Sequence, residues 1–474
     1  MKKIFSVILA VLPWYLSYAQ TEGQTLSFSE ALRKTMSDNP GISAAHYEEK
    51  IAEQERKAAF GLRLPHVGIT GAYVHMGNDI GIDANGIKEP VANLIGGLAG
   101  SGINIPPPIL DQANALFAQN WGMTIQDRNM GFVGATVTLP VYTGGKINAA
   151  NKVSYINELS AIEKGTQTRN LLVSELVERY YGLSLAIEAA GVRRQVADAV
   201  KQHLEDAVAL ETNGIISKGD RLYVEVKMSE AEKELMAAEL QVQTLKDALS
   251  NTINDNVKYT PVSPVFILEN IESVDYFKET AIENNPQLNQ VTLKRELALE
   301  NVKIKRSEYL PQASLLGGAS LYNYQVSEHM PKWVVGAGVK FNIFDGLNRE
   351  YKYNSAKYTV NQIESIQTKA GNDISILIEK LYNEMINYRN RLPYIETSLK
   401  FADEYLRVKN AAFKEGMSSA VDVIDAELNL AKIRIEKIQT AYYYDLILAK
   451  LLEASGISEQ FISYSESINT VHIK

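Results

Sequence analysis

The chain is written twice. Asn39-Pro40 and Leu64-Pro65 recur as Asn285-Pro286 and Leu310-Pro311, a shift of 246 positions (285 − 39). Gly134-Ala135-Thr136-Val137 recurs as Gly336-Ala337-Gly338-Val339. Gly214, Asp220 and Glu225 recur as Gly416, Asp422 and Glu427, again at a shift of 202 (416 − 214). A shift that stays constant from residue 134 to 225 requires the same helices and strands in both halves. The change of shift, 44 positions (246 − 202), is one insertion in the first half, between Tyr73 and Phe132. Each repeat reads as helix, strand, loop, strand, long helix, turn, helix. The first repeat covers 20–254 and the second 255–474, and the two halves complete one body.

Residues 1–19 stand outside the repeats. Lys2-Lys3, the apolar stretch Ile4 to Leu16 and the small-residue site Ser17-Tyr18-Ala19 read as a secretory signal cut before Gln20. The alternative is a membrane anchor, but the apolar stretch is shorter than the ~20 residues needed to span a bilayer. No other charge-free stretch approaches that length, so any membrane insertion must be by strands. The chain has no cysteine, so it has no disulfide and no thiolate chemistry, and a lipid-anchored N-terminus is not expected. A net charge of −8 argues against nucleic acid as a partner, because a phosphate backbone calls for a basic face.

Four segments alternate with period two. In 333–343, Trp333, Val335, Ala337, Val339, Phe341 and Ile343 oppose Val334, Gly336, Gly338, Lys340 and Asn342. Segments 66–75, 132–141 and 312–322 alternate likewise, with a second face rich in Gly, Ser and Thr. Such alternation makes two-faced strands. Each is about 10 residues long, the length of a tilted membrane strand. A soluble sandwich with one buried face is the alternative. The signal sequence and the aromatic residues Trp333 and Tyr73 favour a barrel in lipid. Four strands cannot close a barrel, and an open edge cannot sit in lipid. Two or more chains must therefore share it.

Residues 148–213 read as one long helix, with Leu171-Leu172, Leu176-Val177, Tyr180-Tyr181, Leu183 and Ile187 at spacings of three and four; 348–414 is its copy. At 1.5 Å per residue each is on the order of 100 Å long. Shorter helices are expected at 41–63, 217–253, 287–309 and 419–454. Two short helices end to end match one long helix, which predicts a long helix lying against a stacked pair as a coiled coil. Gly191 aligns with Pro393, and both weaken a helix at the same height, which suggests a shared bend. The insertion, 76–130, reads as Gly-, Asn- and Pro-rich loop with a short helix from Leu110 to Phe117. Its glycine-rich stretch Gly96 to Gly102 has neither the preceding strand nor the lysine of a phosphate loop and reads as a flexible surface loop. Segments 255–272 and 456–474 read as irregular.

Enzyme motifs are absent. The six histidines are scattered without metal-ligand spacing, and there is no GxSxG and no P-loop, so neither a metal nor a cofactor is expected. The turns between long and short helices are more informative. Gly214 and Gly416 sit where a helix ends in a left-handed residue. Ser217 and Ser419 are N-caps, with Asp220 and Asp422 three residues on, close to a capping box. Capping alone accounts for those two aspartates. Asp425 lies one turn further, its copy is Tyr223, and capping does not need it.

Gly416-x-x-Ser419-x-x-Asp422-Val423-Ile424-Asp425-Ala426 resembles the second-repeat tip motif of the TolC-type outer-membrane efflux proteins. The strand hairpins and the Asn-Pro and Leu-Pro signals fit, and the resemblance covers nearly all of the mature chain. It implies a mainly α fold with membrane β: a homotrimer with a shared 12-stranded barrel, four strands per protomer, above a 12-helix coiled-coil tunnel in the periplasm. It also implies an export conduit that docks a periplasmic adaptor and an inner-membrane transporter through tips at Gly214, Ser217, Asp220, Gly416 and Ser419. Asp422 and Asp425 match acidic rings at the pore entrance, where like charges would raise some pKa values. Phe413 and Ser418 stand where the family places residues that lock the entrance, so that lock is not carried over. A pore-less structural coiled-coil protein of the periplasm and a barrel-based enzyme are the competing classes.

Overall fold

The computed structural model describes residues 24–102, 105–328 and 330–473. The signal read over 1–19 lies outside them. In chain order the first repeat holds β1 (Thr25–Leu26), α1 (Phe28–Asp38), α2 (Pro40–Phe60) and β2 (His66–His75). The insertion follows, with β3 (Ile80–Asp83), α3 (Lys88–Gly100), α4 (Pro107–Ala118) and β4 (Gly122–Gln126). The repeat then closes with β5 (Asn129–Tyr142), α5 (Lys146–Thr212) and α6 (Lys218–Ile253). The second repeat holds β6 (Thr260–Pro261), β7 (Phe266–Leu268), α7 (Val274–Asn284), α8 (Pro286–Ser307), β8 (Gln312–Tyr324) and β9 (Trp333–Lys340). It ends with α9 (Asn348–Lys414), α10 (Ala420–Ala454), α11 (Phe461–Ser465) and β10 (Thr470–His472). The long helices α5 and α9 keep the shift of 202 at both ends (348 − 146 and 414 − 212).

The compact units do not follow the sequence repeats. One comprises residues up to Glu53, Ile156–Glu296 and Asn361–Lys474; the other comprises Gln54–Tyr155 and Leu297–Val360. The second unit is built on one antiparallel sheet in the order β2-β5-β8-β9. Its central pair joins the repeats, with Thr136 opposite Gly318 and Leu139 opposite Leu315. β2 and β9 are exposed on both faces along nearly their whole lengths. Trp333 is 70% exposed, and Val67, Ile69, Val335 and Val339 are each above 70%. A sandwich strand would bury one face; these bury neither. Among the described residues β2 and β9 each have one unpaired edge. β9 stops at Lys340, three residues short of the expected 343, although Ile343 remains exposed.

The insertion differs from its sequence reading. Gly96, Gly97 and Gly100 lie in α3 rather than in a loop. Pro90 sits in the first turn, where its missing N–H is harmless, and Val91, Leu94, Ile95 and Leu98 recur at helical spacing. α4 covers the expected Leu110 to Phe117, and β3 pairs with β4 as a further hairpin.

The helical unit shows what the repeated Asn-Pro is for. Asn39 Oδ1 accepts the Gly41 N–H at 2.7 Å and so caps α2, whose first residue is Pro40. Its amide donates to the Thr252 carbonyl at 2.8 Å, one of the orphan acceptors at the C-terminus of α6. Asn285 repeats this: Oδ1 accepts the Gln287 N–H at 2.9 Å and the amide donates to the Ala454 carbonyl of α10 at 2.7 Å. One side chain thus closes the end of one short helix and the start of the next, which is the stacked pair expected from length. Arg193–Glu234 at 2.8 Å links α5 to α6, and Arg434–Asp403 at 3.1 Å links α10 to α9.

The main core lies beside these joints. Tyr180 and Tyr181 of α5 pack with Phe28, Phe266 and Phe461. Tyr180 donates to the Leu26 carbonyl at 2.7 Å and accepts the Val262 and Ser263 N–H groups. Asp445 is fully buried and accepts the Phe266 N–H at 3.1 Å; burial pushes its carboxyl well above the ordinary range. The segments expected to be irregular carry short strands instead: β1 pairs with β6, and β7 with β10. α1 and α7 also escaped the sequence reading. They sit 246 apart (274 − 28), but each spans only 11 residues. α5 and α9 continue as helix through Gly191 and Pro393. No described helix is long and apolar enough to cross a membrane.

The end of α10 gives a sharp test. Gly456 has φ of +77°, and a Cβ there would lie 2.2 Å from the Asn284 carbonyl oxygen. Left-handed strain alone costs about 1–3 kcal/mol, and the collision adds to it. Gly456→Ala is expected to lower the thermal unfolding midpoint of the purified protein clearly. Gly191→Ala, inside a helix with open space around it, is expected to raise stability by about 0.5–1 kcal/mol. Equal midpoints for the two variants would refute this account of the joint.

Candidate functional site

The two tips are built by one recipe. Gly214 and Gly416 adopt φ of +71° and +70°. Gly214 N–H bonds to the Glu211 carbonyl and Ile215 N–H to that of Leu210; Gly416 N–H bonds to Phe413 and Met417 N–H to Ala412. These paired bonds satisfy the last carbonyls of α5 and α9 in the Schellman manner. The apex residues Ile215 and Met417, a repeat pair, are 69% and 77% exposed. Each apex thus carries one exposed apolar side chain.

Ser217 and Ser419 start the returning helices. Ser217 Oγ accepts the Asp220 N–H at 3.2 Å, and Asp220 Oδ2 accepts the Ser217 N–H at 3.0 Å. Ser419 and Asp422 repeat the box at 3.2 and 3.0 Å. Capping boxes are complete with Asp in place of Glu, so Ser217, Asp220, Ser419 and Asp422 all have a structural task. Asp422 also accepts from Ser418 Oγ at 3.1 Å and faces Lys409 Nζ at 3.7 Å.

These bonds decide the charge state. The Ser419 backbone and hydroxyl, with Ser418, hold Asp422 down at about 2, and Ser217 likewise lowers Asp220. Within the protomer the direction for Asp422 is opposite to the rise expected from mutual repulsion. Hydrogen bonds to the charged form outweigh any repulsion the chain itself supplies. Asp425 is exposed and stands outside the cap. Of the two entrance candidates it has the freer carboxylate.

A small second core lies just behind the tips. Val200 and Ala207 of α5, Val224 of α6 and Ile424 of α10 are buried together. At its edge His203 of α5 is 9% exposed, and its Nε2 lies 3.9 Å from Glu427 Oε1 of α10. The Phe413 ring meets the imidazole edge-on at 5.9 Å between centroids. Sequence reasoning passed over His203. The signal was a mismatch between the repeats, since its copy (203 + 202) is Tyr405. Further along the hairpins a cavity of about 700 Å³ is lined by Arg193, Lys227, Lys233, Arg391, Lys432 and Glu436, among others. Three of its cations are already paired, Arg193 with Glu234, Lys227 with Glu230 and Arg391 with Glu436. Among the described residues no group of three or more His, Asp or Glu is placed to hold a metal ion.

Residues 278–457 match the family model described as outer membrane efflux protein. The outer membrane protein TolC of Vibrio cholerae is 27% identical over 152 residues, 31% of this chain and 34% of that protein. The matched stretch therefore spans about a third of that relative's length. Solved structures are similar over far more of the chain. A membrane protein from Pseudomonas aeruginosa superposes with a TM-score of 0.73 at 13% identity, covering 92% of this chain and 91% of that one. The outer membrane protein VceC of Vibrio cholerae gives 0.69 at 14%, covering 90% and 96%. The CmeC outer membrane channel of Campylobacter jejuni gives 0.71 at 13%, covering 98% of each. The fold is that of these outer-membrane proteins.

The capping geometry predicts a pH response. Asp422 has a folded pKa of about 2 against an ordinary 3.8. A depressed carboxylate contributes stability that is complete above the unfolded value and is lost as pH falls toward the folded one. Protection of the first turn of α10 against amide exchange is expected to fall between about pH 4 and 2. Ser419→Ala should lower that protection at neutral pH by the about 1 kcal/mol typical of a lost cap, and should blunt the acid response. Unchanged protection in Ser419→Ala would remove the cap as the cause.

Proposed function

We propose that this relative of the TolC-type outer-membrane efflux proteins is an outer-membrane channel, a passive conduit for export across the periplasm and outer membrane. The observation that carries this is the four-stranded sheet, whose outer strands β2 and β9 hold exposed apolar rows opposite small and polar residues, with an unpaired edge at β2 and another at β9 among the described residues. In lipid every backbone N–H and C=O must be satisfied within protein, so such a sheet is complete only when further copies supply strands. Three copies give 12 strands, an even number above the minimum of 8 for bacterial barrels. Three copies of α5, α6, α9 and α10 then enclose a tunnel.

In this reading the chain performs no chemistry. An inner-membrane transporter supplies the work and a periplasmic adaptor joins it to the channel. The tips around Gly214 and Gly416, with Ser217, Asp220 and Ser419 holding their shape, are the docking surface, and Ile215 and Met417 are its apolar contacts. Asp425 faces the permeating ions with a carboxylate that stands outside the cap. Asp422 chiefly fixes the entrance geometry through its cap and adds negative charge. A ring of carboxylates attracts cations into a narrow water-filled path.

Two measurements test the reading. The mass of the detergent-purified complex should be three times that of the 52.6 kDa chain, less any removed leader. A monomer folded in plain buffer would end the proposal. In planar bilayers the channel should prefer cations, and replacing Asp422 and Asp425 together by Asn should weaken that preference. Asp425→Asn alone should account for the larger part. Selectivity untouched by the double replacement would place both residues outside the pore.

A further inference from the structure

We propose that the helical insertion of the first repeat is an outer gate: α3 and α4 of each copy meet those of the neighbouring copies over the mouth of the shared barrel and close it to the outside. The proposal rests on the channel reading, which supplies the barrel and the copies.

Closing the hairpin does not require the insertion. The second repeat joins β8 to β9 through residues 325–332, whereas the first joins β2 to β5 through residues 76–128. Nor is the insertion a slack loop. The β2–β5 ladder ends at His75 opposite Asn129, and the two strands run on beyond the sheet. Met76 N–H bonds to the Arg128 carbonyl, Asp79 Oδ1 accepts the Arg128 N–H at 2.7 Å, and β3 and β4 resume the pairing with Ile80 opposite Gln126. The Gln126 amide donates to the Gln325 carbonyl at 2.6 Å, and its Oε1 accepts the Ser327 N–H at 2.9 Å, so the loop of the second hairpin braces this arm. At the far end Asn85 donates to Asn120 Oδ1 at 2.7 Å and accepts the Trp121 N–H at 3.0 Å, which closes the base of α3 and α4.

What the arm carries is apolar and uncovered in the single chain. From Pro90 to Leu110 the sequence holds no charged residue. Only Lys88, Ala92 and Ile95 of α3, and Leu110, Ala113 and Phe117 of α4, are even half-buried. Leu94 is 65% exposed, and Leu98 and Leu116 are exposed as well. On the arm itself Ile82 and Met123 lie opposite one another, both exposed. A contiguous exposed apolar surface of this kind marks an interaction site. Helices that lie on a lipid surface carry Lys or Arg along the polar face. Residues 76–130 instead hold two cations, Lys88 and Arg128, against five acids, Asp79, Asp83, Glu89, Asp111 and Asp127. Both cations are engaged within the chain, Lys88 with the Gln119 carbonyl and Arg128 with Asp79. That balance disfavours a headgroup surface and leaves an apolar protein face as the partner.

Position selects a second copy. The insertion leaves the β2–β5 hairpin at the end away from the entry from α2 and the exit to α5, and beside β2, whose outer edge is unpaired. In the channel that edge takes the next copy, so each insertion stands at a seam on the outer rim, and three insertions surround one mouth. Twelve strands spaced about 4.8 Å apart and tilted by about 40° enclose a barrel about 24 Å across. The 13 residues of α3 make a helix about 20 Å long and about 10 Å wide, long enough to reach the axis from the rim. Three such helices are wide enough to fill the opening. Ala92, Gly96 and Gly100 recur at a spacing of four along α3, and a Cβ on either glycine would meet nothing within 4 Å. Small residues on that face let a second backbone come close, as they do between helices in apolar surroundings.

The chain has no cysteine, so Leu94→Cys gives one thiol per copy. A nitroxide is attached there in the full-length complex, reconstituted in phosphatidylcholine vesicles. It is expected to be shielded from both a water-soluble nickel chelate and dissolved oxygen. It should also show spin–spin broadening that disappears when labelled chain is diluted with unlabelled chain before assembly. A label relaxed by oxygen would lie in lipid, and one relaxed by the chelate without broadening would lie free in water; either result overturns the gate. In planar bilayers Leu94→Asp with Leu98→Asp sets like charges against one another between the copies and is expected to raise the conductance of the parent several-fold. Both side chains are exposed in the single chain, so its own packing is untouched. Parent and variant conducting equally would also sink the proposal. Failure of the channel reading would show differently, since then neither parent nor variant would conduct at all.

Discussion

Helix ends must be satisfied, and this chain depends on how it satisfies them. Every α-helix leaves four N–H groups and four carbonyls without internal partners. Here the short helices meet end to end at two joints. Asn39 and Asn285 each bridge the C-terminus of one short helix to the N-terminus of another. The tips solve the same problem with a left-handed glycine on one side and a serine–aspartate box on the other. Without those joints a long helix would lie against two fraying fragments. With them it lies against a continuous partner, and side-chain pairs such as Arg193–Glu234 can form along it.

The same accounting applied to the sheet leaves a deficit. Hydrogen bonds run across β2, β5, β8 and β9 and stop at both outer edges. The exposed Trp333, Val335 and Val339 would be a liability in water. In a bilayer they are at home, and the edges alone remain to be paired. The proposed assembly follows from that one deficit, since copies of the chain carry the matching edges.

Much of this was legible in the residues. A constant shift of 202 placed the ends of α5 and α9 within two residues, because a repeat transfers boundaries that local propensity leaves vague. Period-two alternation located all four long strands. Asp220 and Asp422 were recognisable as caps from spacing to Ser217 and Ser419 alone. What escaped was short or rested on tertiary support. α1 and α7 span only 11 residues each, and the strands β1, β6, β7 and β10 have two or three. The run Gly96–Gly97 looks like loop by composition, yet Pro90 and the apolar spacing make it helix.

The sequence by itself determined the duplication, the strand periodicity, the left-handed turns at Gly214 and Gly416 and the caps that follow them. These are local matters of backbone sterics and side-chain reach, and they are written in adjacent residues. Only the tertiary structure decided which helix ends meet at Asn39 and Asn285, that Asp445 is sealed in the core, and that His203 faces Glu427. Those depend on groups some 170 to 225 positions apart. Burial and long-range pairing are properties of the packed chain, and no local pattern encodes the neighbour a side chain will find.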